Sequence, residues 1–132
     1  MEKGHQPVLS ALSQAKTKRT LLIVEDDFWT RYTAAEYFRN MGYEVLEARD
    51  ADEALSLLSS RKPIDVVFSD IRMPGSMNGL ALAGWITQHY AWLPVFLTSG
   101  LRPAELAGTS PHVFILKPYS LTDLEMQIRR RI

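Results

Sequence analysis

The feature that most constrains this chain is a set of short runs that are apolar at every position. Leu21-Leu22-Ile23-Val24, Val66-Val67-Phe68 and Val95-Phe96-Leu97 are of strand length, and none alternates apolar with polar residues. A strand with one wet face alternates. Unbroken apolar runs therefore call for a sheet covered on both faces, as parallel strands flanked by helices provide. The intervening segments fit that arrangement. Ala34, Ala35, Phe38 and Met41 recur at helical spacing, with Gly42 placed to end the helix. Asp50 with Glu53 reads as a capping box before Ala54, Leu55 and Leu58, and Pro63 closes that second helix. Leu80, Ala83 and Ile86 mark a third helix running to about Tyr90. Ser120 with Asp123 opens a last helix bearing Leu121, Leu124 and Ile128. A second, weaker strand is expected at Tyr43 to Leu46, the third at Ile64 to Ser69 and the fifth at Val113 to Leu116. Strands alternating with helices in this way give an α/β class.

The 132 residues suffice for one domain with a real core. Residues 1–19 read as an N-terminal extension, polar and mixed with a weak helical pattern, and residues 20–132 as the folded unit, with no output domain expected after the last helix. Between Ser99 and Lys117, the residues Pro103, Gly108 and Pro111 leave room for a helix of only one or two turns, from Pro103 to about Ala107. Lys and Arg total 15, as do Asp and Glu, so no global charge favours nucleic acid or an anionic membrane. The local run Arg129-Arg130-Arg131 ends a helix, where the macrodipole favours cations. Cysteine is absent, which excludes disulfides, thiolate metal sites and cysteine nucleophiles. No apolar stretch is long enough to span a bilayer and no signal-peptide core is present, so a cytoplasmic location is the expectation.

In open α/β sheets, ligands bind beyond the carboxyl ends of the strands. Those ends carry Glu25-Asp26-Asp27, Asp70, Ser99-Gly100 and Lys117-Pro118. Clustered carboxylates repel unless a cation joins them, and the three histidines, His5, His89 and His112, fall elsewhere. An all-oxygen set favours a hard ion such as Mg²⁺. A lysine beside such an ion makes sense if a phosphoryl group is also held, and a carboxylate can accept that group as an acyl phosphate. Asp26 and Asp27 could instead simply cap a helix, and Asp70 could begin a turn.

The pieces "LLIVEDD", "FSDIRMPG", "LTSG" and "LKPYS", in this order and each at an expected strand end, resemble the receiver domain of two-component response regulators. The resemblance covers the chain from about Thr20 onward, and its forms are nearer to single-domain or hybrid-kinase-attached receivers. It implies a flavodoxin-like, doubly wound sheet of five parallel strands in the order 2-1-3-4-5, with the fourth helix shortened here. It further implies Asp70 as phosphoacceptor, Asp26 as a direct Mg²⁺ (or Mn²⁺) ligand and Glu25 as one acting through water. Arg72 would add its backbone carbonyl to the metal. Lys117 and Ser99 would hold the phosphoryl group, with Thr98 as the hydroxyl if the strand shifts by one residue. Phe114 would be the aromatic switch residue and Pro118 would follow a cis peptide bond. Asp27 would be a neighbour at the start of the first helix.

The implied function is a phosphorelay step in signal transduction. A sensor histidine kinase or phosphotransfer protein would donate to Asp70, and a conformational change would pass to a downstream protein. Such a domain is a signalling module rather than an enzyme, although it assists its own phosphorylation and dephosphorylation. No nucleic acid or membrane partner is implied. Rival readings are a pseudo-receiver that binds without phosphorylation, a phosphohydrolase-like enzyme, or a flavin-binding relative. A phosphohydrolase would want a second acid two residues after its nucleophile, where Arg72 stands, and "EDDFWT" would repel a flavin phosphate. Ser76 makes the loop one residue longer than the commoner family form. It is expected to bulge outward before the third helix.

Overall fold

The computed structural model describes residues 18–100 and 112–132. In chain order the elements are β1 (Thr20–Val24), α1 (Phe28–Asn40), β2 (Glu44–Ala48), α2 (Ala51–Leu58), β3 (Val66–Asp70), α3 (Gly79–His89), β4 (Val95–Ser99), β5 (Val113–Leu116) and α4 (Leu121–Arg131). All strand pairings are parallel, in the order β2-β1-β3-β4-β5. This is the flavodoxin-like arrangement. Every residue of β1, β3 and β4 is buried, as their unbroken apolar runs require.

Alternation along the central strands feeds two cores, one on each face of the sheet. Leu22, Val24, Val67, Val95 and Leu97 pack beneath α2 and α3, against Ala54, Leu58, Leu82 and Ile86. Leu21, Ile23, Val66, Phe68 and Phe96 face the other way, against Ala35 and Phe38 of α1 and Leu124 and Ile128 of α4. The chain builds outward from β1 to β2, then crosses to build β3, β4 and β5 on the other side. The reversal between β1 and β3 leaves a crevice at their carboxyl ends.

Four sequence expectations shift, one of them the third strand, which runs Val66–Asp70 rather than Ile64 to Ser69. Met41 does not join the apolar face of α1. It caps the helix and stands exposed, and Gly42 with φ 97° makes the turn beyond it. The second strand lies at Glu44–Ala48 rather than Tyr43 to Leu46. Tyr43 is buried before the strand begins. On α3 the deeply buried positions are Leu82, Ala83 and Ile86, with Leu80 only half-buried. The expected short helix at Pro103 to Ala107, and all of the N-terminal extension except Lys18 and Arg19, lie outside the described residues. No described helix is long and apolar enough to cross a membrane.

Candidate functional site

The acidic run after β1 divides its tasks by geometry. The Glu25 amide still donates to Ala48 O at 2.9 Å, so the chain stays in the ladder one residue past the strand. Asp27 then caps α1, accepting from the Thr30 amide at 2.9 Å and from the Thr30 hydroxyl at 2.6 Å. These two bonds hold its carboxyl below the usual carboxylate range. The Asp27 amide donates back to Glu25 Oε2 at 2.9 Å, fixing the Glu25 side chain in a buried position. Asp26, between them, remains exposed. Arg31 braces the turn by donating to Glu25 O at 2.8 Å and pairing with Glu47 at 3.2 Å.

Asp70 ends β3 and is only 7% exposed. Its Oδ1 accepts from the Arg72 amide at 3.3 Å and its Oδ2 from Lys117 Nζ at 3.2 Å. The loop after it rises through Gly75, at φ 103°, a left-handed conformation that glycine adopts without strain. Ser76 stands exposed, its Oγ 3.5 Å from Asp52 Oδ1. The extra loop residue thus lies exposed beside the start of α2. The chain then returns so closely that the Gly79 amide donates to Ile71 O at 2.8 Å. A Cβ at Gly79 would collide with the Asp70 carbonyl. Asn78 caps α3 by accepting from Ala81 N at 2.9 Å.

Oxygen atoms of Glu25, Asp26 and Asp70 lie within 4.8 Å of one another. The Lys117 ammonium contacts this group through Asp70. The Glu25 carboxyl is pushed up to about 7, first by burial and then by the Asp70 charge and a hydrogen bond with Asp26. The Asp27 amide and Lys117 oppose that shift without cancelling it. The Tyr119 phenol, pushed up to about 12 by burial and then by the charges of Glu25 and Asp70, lies within reach of the same field. Clustered, under-neutralised oxygen donors with no sulfur suit a hard divalent cation. An open cavity of about 580 Å³ leads in, lined by Asp26, Ile71, Arg72, Met73, Pro74 and Asn78.

Glu25, Asp26, Asp70 and Lys117 thus converge, and Arg72 lines the same mouth. Ser99 ends β4 and Phe114 lies on β5, on the α2–α3 side of the sheet with Leu97. Thr98, rather than Ser99, is the register partner of Asp70. The Lys117–Pro118 peptide is cis. Sequence reading missed Gly79, Arg31 and Tyr119. Of these, Gly79 left a signal, since a glycine opening a helix that otherwise reads as regular asks for a close approach.

Residues 21–129 match the family model of the response regulator receiver domain. The chain is 41% identical over 112 residues to the aerobic respiration control protein ArcA of Escherichia coli K12, covering 83% of this chain and 46% of that one. It spans from about a fifth to about half the length of the curated relatives it matches. The receiver domain of the hybrid histidine kinase CckA superposes with a TM-score of 0.71 at 33% identity, over 85% of this chain and 97% of that one. Response regulator TrrA of Thermotoga maritima, solved in complex with Mg²⁺ and BeF, superposes with a TM-score of 0.76 at 25% identity, over 86% and 99%.

Proposed function

The chain belongs to the response regulator receiver domain family, and from that premise we propose that Asp70 is its phosphoacceptor. The observation that carries the reading is one buried carboxylate in contact with Lys117 and within 4.8 Å of two further acids. An Asp70 oxygen attacks the phosphorus of a phosphohistidine on a sensor kinase or phosphotransfer protein. The P–N bond breaks, and its electron pair returns to the imidazole, leaving an aspartyl phosphate. Lys117, already on Asp70, transfers part of its contact to the phosphoryl oxygens as they arrive.

Asp26, Asp70, Glu25 and the Arg72 carbonyl would hold Mg²⁺ or Mn²⁺, which supplies positive charge against the phosphoryl oxygens. Ser99 would take a further phosphoryl oxygen, and Phe114, packed against the α2–α3 core beside it, would report the change to a downstream protein. The test is incubation with a small phosphodonor such as an acyl phosphate or phosphoramidate. Acid-labile phosphoryl label is expected with Mg²⁺ and is lost on chelation. Labelling that persists unchanged under chelator would contradict the metal assignment.

A further inference from the structure

Thr98 carries a polar atom that the site as described leaves unused. It is 2% exposed, and its Oγ1 is, among the described residues, the buried side-chain oxygen or nitrogen without a hydrogen-bond partner. A buried hydroxyl in that state is destabilising, and valine would fill the same space without the cost. The position makes the hydroxyl more than a packing defect. Thr98 pairs with Asp70 on β3 and with Ile115 on β5. Phe68 and Phe96, two residues earlier on their strands, both pack on the α1–α4 side, so alternation places Asp70 and Thr98 on that same face. Ile115 packs there as well, and Lys117 follows it by two residues. The unpaired hydroxyl therefore lies one strand from the Asp70–Lys117 contact, which is closed at 3.2 Å.

If Asp70 accepts a phosphoryl group, as the reading above holds, this contact must open, because the ammonium then serves the new oxygens too. An ammonium has three protons to place, and a threonine hydroxyl is an acceptor as well as a donor. We propose that Thr98 is a positioning residue whose hydroxyl accepts from Lys117 Nζ in the phosphoryl-loaded site, aiming the ammonium between Asp70 and the phosphoryl group.

The test uses the full chain with Mg²⁺ and fluoroberyllate as the phosphoryl probe, comparing wild type, Thr98→Val and Thr98→Ser. Without probe, Thr98→Val is expected to melt no lower than wild type, since it removes an unsatisfied group. With probe, it should bind about tenfold more weakly, the loss of one charge-assisted hydrogen bond, and Thr98→Ser should bind as wild type does. A purely structural Thr98 would move the melting temperature and leave the affinity alone. Wild-type affinity in Thr98→Val overturns the proposal whatever its melting temperature, and so does a Thr98→Ser variant that binds as weakly as Thr98→Val. Should Thr98→Val not fold, Thr98→Ala against Thr98→Ser decides by the same affinities. A wild-type chain that neither binds the probe nor takes phosphoryl label would overturn the phosphoacceptor reading itself.

Discussion

At the scale of single residues, Glu25 shows most plainly what the site stores. Its carboxyl sits at about 7 instead of 4.5 because burial opposes its charge. The metal-free folded chain therefore keeps a proton there that the unfolded chain releases between those two values. The resulting penalty on folding is absent below 4.5 and complete above about 7. The contribution of this group to the melting temperature of the metal-free protein should fall as pH rises through that window, and Glu25→Gln should flatten the fall. Mg²⁺ affinity should change in the opposite sense, rising through the same window as the competing proton leaves. Calorimetric melts and Mg²⁺ titrations on either side of the window check both. A Glu25→Gln profile parallel to wild type would contradict the burial argument.

At the scale of elements, two contacts fix where helices sit. The start of α3 presses on the backbone that carries Asp70, and a Cβ on Gly79 would come within 2.8 Å of Ile71 Cα. Backbone cannot swing aside as a side chain can. Gly79→Ala is therefore expected to cost about 1–3 kcal/mol in denaturant unfolding and to slow phosphoryl labelling by displacing Asp70. Unchanged stability with unchanged labelling would contradict the close approach.

On the opposite face, α4 is anchored through Glu125, which is 4% exposed. The Tyr43 hydroxyl donates to its Oε2 at 2.9 Å and Arg129 donates to its Oε1 at 2.9 Å. Burial, with the carboxylate beside it, pushes the Tyr43 phenol well above its ordinary range. Tyr43→Phe strips one buried carboxylate oxygen of its donor, for an expected loss of about 1–3 kcal/mol. Adding Glu125→Leu should then cost less than the two single changes summed. Simple additivity in the double-mutant cycle would show that the bond carries no energy.

At the scale of the molecule, what the sequence disclosed follows from where each signal resides. The runs at Leu21 to Val24, Val66 to Phe68 and Val95 to Leu97 announced the parallel sheet, because burial on both faces leaves a mark at every position. Glu25, Asp26, Asp70 and Lys117 were legible as a group because each ends a strand, and parallel strands bring their ends to one edge. The edge strand was less clear. Glu44 to Ala48 mixes Glu with Val and Leu, and its bounds shift by one or two residues from the pattern. Met41 misled because it is apolar and in phase yet lies past the last helical turn. Tyr43 with Glu125 and Thr98 beside Asp70 depend on registers between distant segments, and nothing local to either partner records them, whereas the approach of Gly79 to Asp70 left only the glycine itself as a signal.

The central claim is that Asp70 accepts the phosphoryl group, and one measurement addresses it most directly. Wild type and Asp70→Asn are incubated with Mg²⁺ and a small phosphodonor, and the intact masses and the modified peptide are read by mass spectrometry. Wild type should gain one phosphoryl group on the peptide containing Asp70, and Asp70→Asn should gain none. Equal phosphoryl gain in Asp70→Asn, or a label mapped to another residue in wild type, would contradict the account.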